Sequence, residues 1–415
     1  MSAPITAARA TVVTPPGETV PAPRLTVARV LGAALRQGVR PALCADGWKI
    51  LNALLACRTP ALGAHQYRCA DCGGEHLVPH SCRNRHCPTC QGALAHDWLE
   101  RQRECLLPVS YFHAVFTLPH VLNPLIAQNR RVLLDLLFHC ASATLLEFGW
   151  NRWQARPGIT AVLHTWSQTL LDHHHLHCIV TGGGLCRDGS RWRGTRGGYL
   201  FPVKALSKVF RAKYRVGLCE LFARGLLECH GELAALSQPA EFAALLRQAC
   251  KRPWVVYAKR PFAGPGQVLA YLSRYTHRVA IGNRRLLSLD TREGTVTFGY
   301  KDYADGSRRK AMTLSLGEFV RRFCLHLLPR GFVKIRHYGL LANRGRQLHI
   351  ERARQLLASQ PPRVRREAVL QPKAQEVAAA EPHCPFCGSV RLRLLRIHPS
   401  LTCAPKPPPL VFDSS

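Results

Sequence analysis

The sequence predicts an α+β protein built from two or three packed units, and three observations carry that expectation. The chain has 415 residues, too many for one small core, and 47% of them are hydrophobic, enough for a real interior. Its apolar patterning switches between helix-period stretches and short β-branched, aromatic runs. Near its start lies a block crowded with cysteine and histidine.

Taken in order, residues 1–25 are rich in Pro, Thr and Ala and read as a disordered leader without an apolar signal segment. Helix-period residues follow in VARVLGAALRQGVRPALCADGWKILNALLAC, interrupted near Pro41. After the Cys/His block a helix is expected from Gln91 to Leu107. YFHAVFTLPH (111–120) reads as a strand stopped by Pro119, and a long helical pattern comes next. ITAVLHTWSQTL and HLHCIVTGGG read as adjacent strands, the second ended by the glycines at 182–184. Residues 204–250 have helical spacing and PWVVYAK is a short strand. GQVLAYLSRYTHRVA is an amphipathic helix, RRLLSLD and TVTFGYKDY form a hairpin, and SLGEFVRRFCLHLL is a helix. No long-period repeat is visible.

The formal net charge is +32, spread along the chain, and a field of that size attracts polyanions, chiefly nucleic acid. No run of about 18 uncharged apolar residues is present, which argues against a membrane partner. Eighteen cysteines without a secretory signal point to reduced thiols and metal ligation, and so to the cytoplasm, beside the nucleoid.

YRCADCGGEHLVPHSCRNRHCPTC contains Cys69-x2-Cys72 and Cys87-x2-Cys90, two turns able to close a four-sulfur shell around a structural Zn²⁺. Cys82, His76, His80 and His86 are the alternatives to any one of the four. In the tail, Cys384-x2-Cys387 has only His383 and Cys403 as nearby partners, half of a second site.

LDHHHLHCIV (171–180) is the other dense cluster. On a strand, His175 and His177 share one face with Ile179, while Leu176, Cys178 and Val180 take the other. Two such imidazoles can converge on one cation, Mg²⁺, Mn²⁺ or Zn²⁺ when an oxygen ligand joins them. Gln168 is the expected third ligand, with His164 and His173 as competitors. Further on, Tyr271 and Tyr275 in AYLSRYTHR stand at i and i+4, so both hydroxyls leave one helical face, flanked by Arg274 and Arg278 as candidate phosphate contacts.

These residues together resemble the two-tyrosine HUH transposases of rolling-circle bacterial insertion sequences. The likeness runs over about residues 40–350. It rests on the Cys-x2-Cys block, FTLPH, HHHLHC, Tyr-x3-Tyr, RYTHRVAIGNRRL and VKIRHYGLLANRGR. Where the family more often carries Pro before the penultimate histidine, this chain has His174. The resemblance implies a ferredoxin-like core on an antiparallel sheet, with a zinc-binding domain before it. It implies cleavage of single-stranded DNA through a 5′-phosphotyrosine, by Tyr271 and Tyr275, with a divalent ion on His175 and His177 and no nucleotide cofactor. The expected units are a leader (1–25), a helical and zinc-binding domain (26–107, Cys block 65–92), a catalytic domain (108–350), a flexible basic linker (351–382) and a small Cys-containing tail (383–415). The same chemistry would suit a replication initiator or relaxase, and the cysteine block alone would suit a non-catalytic zinc-ribbon DNA-binding protein.

Overall fold

The structure, a computed structural model, describes residues 25–195, 198–258, 267–268, 278–359 and 383–400, apart from the side chains of 92–94 and 97. The chain opens with helices α1 (Val27–Arg36) and α2 (Ala45–Ala56), separated at Gly38, whose φ of 83° a side chain disfavours. The Thr26 hydroxyl caps α1 by accepting from the Arg29 amide at 3.2 Å. A hairpin of β1 (Ala64–Cys69) and β2 (Glu75–Pro79) leads to α3 (Gln91–Arg103).

Next come β3 (Tyr111–Thr117), α4 (Asn123–Gln128), α5 (Arg130–Trp153), β4 (Ala155–Trp166), β5 (Asp172–Cys186), β6 (Trp192–Gly194), α6 (Val203–Ala223), α7 (Pro239–Cys250) and β7 (Val256–Ala258). The later part holds β8 (Leu286–Asp290), β9 (Thr295–Asp302), β10 (Arg308–Ser315), α8 (Leu316–Cys324), β11 (Ile335–Gly339) and α9 (Arg346–Ala358). Finally β12 (Leu392–His398) joins β1.

The architecture is mixed α+β with antiparallel sheets. The central sheet runs β11-β4-β5-β3-β7, with β6 against the far end of β5. One face carries Phe112, Ala114, Phe116, Ile159, Ala161, Leu163, Leu176, Cys178 and Val180, buried beneath α5 and α6. This period-two division follows from the pleat, and a one-residue slip would invert it.

The glycines at 182–184 do not end β5, which continues to Cys186 between two neighbours. A Cβ at Gly183 would lie 2.6 Å from the Arg193 carbonyl and 2.7 Å from the Trp192 indole nitrogen, so the run lets β6 approach closely. Helix α5 is long and apolar enough to cross a membrane by length and composition, but Leu133, Leu134, Leu137, Phe138, Ala141 and Leu145 fill this core instead.

A second core joins α1 and α2 to Ala280, Ile281, Phe298, Phe319, Val320 and Phe323. Residues before 60 therefore share an interior with residues after 280, and packing does not divide the chain at 107. A third, smaller core lies on the other face of the central sheet, where Tyr111, Ile179 and Val268 meet Leu107, Ile350 and Ala353.

Candidate metal centres and the histidine cleft

The register of the central sheet builds the histidine cluster. On the face opposite the helices, His175 and His177 follow one another along β5, and β4 places His164 directly across from His175. The ligand atoms of His164, His175 and His177 all lie within 4.8 Å of one another. His164 is buried, stacked on Trp166 with ring centroids 4.6 Å apart, while His175 and His177 are half-buried.

Neighbouring groups fix how these rings present their lone pairs. His175 Nδ1 lies 2.7 Å from the His173 carbonyl oxygen. A carbonyl only accepts, so Nδ1 carries the proton and donates, which leaves the lone pair on Nε2. His177 Nδ1 lies 2.9 Å from His113 Nε2, and the two rings stack at 5.1 Å. Desolvation lowers His175 to about 3, and it also holds His177 well below the ordinary range, with smaller contributions from nearby imidazoles and Arg278. Near neutral pH these rings are uncharged, the form that ligates metals.

The sequence-predicted third ligand lies elsewhere. Gln168 sits past the end of β4, in the turn to β5. Its Oε1 accepts from the Lys301 amide of β9 at 3.5 Å, and its carbonyl accepts from the Arg285 guanidinium. A strand position opposite His175 belongs to His164, because β4 keeps pairing through that residue. His173 supplies the carbonyl that orients His175, and its own Nδ1 lies 3.0 Å from His120 Nε2.

Tyr271, Arg274 and Tyr275 lie outside the described residues. The residues on either side of them are described. Val268 is buried in the small core with Ile179, on the histidine face. Arg278 is near enough to depress both His175 and His177, and its carbonyl accepts from Lys334 Nζ at 2.6 Å. Desolvation, aided by Arg85 and Arg278, lowers Lys334 to about 7, and its Nζ sits 5.1 Å over the Trp166 ring.

The thiols form two complete groups, where one shell and half of a second were expected. Cys69 and Cys72 do not close a shell with Cys87 and Cys90. Cys87 and Cys90 join Cys57 and Cys82, whereas Cys69 and Cys72 join Cys384 and Cys387. In the first group Cys57 Sγ lies 3.5 Å from both Cys87 and Cys90, and Cys82 Sγ lies 3.7 Å from Cys90. With Zn–S bonds of about 2.3 Å, a tetrahedral shell has edges of ~3.8 Å, so these thiols fit one zinc ion. Thiol hydrogen bonds from Cys82 and Cys87 hold Cys90 well below the usual thiol range, while Cys87 and Cys90 push Cys82 up. Cys57 had no motif to mark it; it ends the apolar helix α2, whose C-terminus delivers it to the loop 82–90.

Three converging imidazoles on one sheet face and a thiol-knit N-terminal region give the chain two kinds of side-chain cluster able to hold a metal ion. Residues 158–348 match the family model described as "Putative transposase", and residues 32–118 match the "Transposase zinc-binding domain". The first thiol group lies wholly inside that second match. The chain is 41% identical over 373 residues to "Putative transposase y4qJ" of Sinorhizobium fredii, covering 88% of this chain and 92% of that protein. It is 29% identical over 343 residues to the "Transposase for insertion sequence element IS801" of Pseudomonas savastanoi pv. phaseolicola, covering 81% and 80%. No solved structure matches it. The chain belongs to the IS91/IS801 family of transposases, and its N-terminal region is that family's zinc-binding domain.

Proposed function

We propose that this transposase nicks and rejoins single-stranded DNA at the ends of an insertion sequence, through 5′-phosphotyrosine intermediates on Tyr271 and Tyr275, in rolling-circle transposition. The observation that carries the reading is the convergence of His164, His175 and His177 within 4.8 Å on the face of the sheet where Val268 and Arg278 bracket the tyrosine segment.

A phenol ionises near ~10, so a neutral tyrosine needs an activated phosphate rather than a standing phenolate. His175 and His177, joined by His164 in the place first given to Gln168, would hold Mg²⁺ or Mn²⁺. When bound, that ion supplies Lewis-acid polarisation of the scissile phosphate and stabilises charge on the departing oxygen. The Oη of one tyrosine attacks phosphorus. The P–O3′ bond breaks, and the phenolic proton passes to the 3′ oxygen, giving 5′-phosphotyrosine and a free 3′-OH. The phosphotyrosine conserves the energy of the broken linkage, so rejoining needs no nucleotide cofactor.

A second tyrosine one turn along the helix can cut another strand while the first remains attached. Arg278 and Arg274 hold the backbone phosphates, and the +32 charge gathers the strand. Cys57, Cys82, Cys87 and Cys90 hold a structural zinc. The protein works in the cytoplasm, on the nucleoid.

Labelled single-stranded DNA carrying the element's ends, incubated with protein and Mn²⁺, tests the reading on a denaturing gel. A covalent adduct is expected, reduced in Tyr271→Phe and Tyr275→Phe and abolished in His175→Ala. An adduct undiminished in the double tyrosine variant removes these residues as nucleophiles.

A further inference from the structure

We propose that Cys69, Cys72, Cys384 and Cys387 form a second structural zinc site, which clasps the C-terminal strand β12 onto the zinc-binding region across more than 300 residues of chain. The Sγ atoms of Cys69 and Cys387 lie 3.5 Å apart, as do those of Cys72 and Cys384, and all four are within 4.8 Å of one another. Those spacings suit the edges of a zinc tetrathiolate, ~3.8 Å for Zn–S bonds of about 2.3 Å.

The two halves are near copies. Cys69-Ala-Asp-Cys72-Gly73 and Cys384-Pro-Phe-Cys387-Gly388 each place a glycine after the second thiol, with φ of 70° and 77°. In each turn that glycine's amide donates to the carbonyl of the first cysteine, at 3.0 Å for Gly73 to Cys69 and 2.9 Å for Gly388 to Cys384. In each, the first cysteine's amide donates to a carbonyl beyond the glycine, Cys69 to Gly74 at 2.9 Å and Cys384 to Ser389 at 2.8 Å. The left-handed glycine lets both sulfurs of a turn aim at one point.

The halves are also fitted to each other. Asp71 accepts from Arg391 at 2.9 Å and from the Ser389 hydroxyl, and the Ala70 amide donates to the Arg391 carbonyl at 2.8 Å. A Cβ at Gly74 would lie 2.6 Å from the Phe386 ring.

What this subdomain lacks argues for the metal as strongly as what it has. None of the three apolar cores includes a described residue from 63–81 or 383–400. In β12, Leu394 and Ile397 are 45% and 57% exposed. A three-stranded sheet with no apolar interior does not hold itself together in water, and a bound metal is the usual substitute. The rival, a pair of disulfides, would tie the same atoms, but it would respond to reductant and not to chelator.

Two measurements on the full-length protein, in reductant, decide the matter. Zinc per chain by elemental analysis should be two, falling to one in Cys384→Ser/Cys387→Ser, with the other equivalent lost in Cys87→Ser/Cys90→Ser. Separately, a specific protease site placed between residues 360 and 382 is cleaved in the otherwise unaltered chain. The C-terminal fragment should co-elute with the remainder in reductant and leave on chelation with EDTA. This second readout stands even if the serine variants misfold. One zinc per wild-type chain, an unchanged count in the tail variant, release of the fragment by reductant alone, or its retention after chelation would each overturn the clasp. A failure of adduct formation on DNA leaves both readouts unaffected, so the nicking mechanism and the clasp can fail independently.

Discussion

His113→Phe is the perturbation that most directly probes the histidine cleft. His113 is buried on β3, and its Nε2 is the partner of His177 Nδ1 at 2.9 Å. If His177 ligates through Nε2, its Nδ1 carries the proton and donates to His113, which fixes the tautomer and the ring plane. Phenylalanine keeps the stacked ring and removes the acceptor. The buried donor left behind costs about 1–3 kcal/mol in the ligating tautomer. Loss of such outer partners commonly weakens metal affinity 10–100-fold, or ~1.4–2.7 kcal/mol, the same range reached independently.

The assay is adduct formation on single-stranded DNA across a Mn²⁺ titration. The half-saturating metal concentration should rise about 10–100-fold, with adduct recovered at high metal. An unchanged midpoint would refute the orienting role. Activity lost at every metal concentration would refute it too, since that result places His113 in the reaction rather than behind a ligand.

Other outcomes follow from the same geometry. His164→Ala should abolish Mn²⁺-dependent adduct while Gln168→Ala retains it; the reverse pattern would restore Gln168 as the third ligand. Leu137→Ala, fully buried in α5, should lower unfolding free energy by ~2–5 kcal/mol in a urea titration. Desolvation depresses His326 to about 4 in the fold, against an ordinary value near ~6.5. Between those values the unfolded chain binds more protons, so its contribution is full above the upper value and lost as pH falls through the window. Thermal melts should therefore fall from pH 7 to pH 5, and His326→Asn should flatten that slope.

Strand patterning was legible because it is local. The alternation in HHHLHCIV put His175 and His177 on one face, and the residues alone made that division. The place of Gln168 was not legible because it depended on where β4 stops and on how the strands register. The strand ends at Trp166, and cross-strand pairing sets His164 opposite His175. The cysteines were misjudged for a longer-range reason. Nearness in sequence grouped Cys69 and Cys72 with Cys87 and Cys90, whereas β1 pairs with a strand more than 300 residues away. One signal was available. The turns at 69–73 and 384–388 share Cys-x2-Cys-Gly, while Cys90 is followed by Gln91, so the matching punctuation already marked the true partners.

The first thiol centre is tied by structure to the histidine cleft, which gives the N-terminal region more than an accessory place. Arg85, two residues before Cys87, donates to the Pro329 carbonyl at 2.8 Å and to that of Phe332. The Leu328 amide donates to His86 Nε2 at 3.3 Å. The same segment continues into Lys334, whose carbonyl accepts from the Leu163 amide of β4 at 3.0 Å and whose ammonium holds Arg278 beside the imidazoles. Asn283 adds a second tether by accepting from the Val27 amide at 3.0 Å and donating to Thr89 at 3.2 Å. A metal that fixes the loop 82–90 thereby fixes the backbone on which Lys334 and Arg278 stand. The stiffness of a thiolate shell is passed to the histidine cluster through the side chains of Arg85, His86 and Lys334 hydrogen-bonded to main-chain groups, and through the main-chain bond from Leu163 to Lys334.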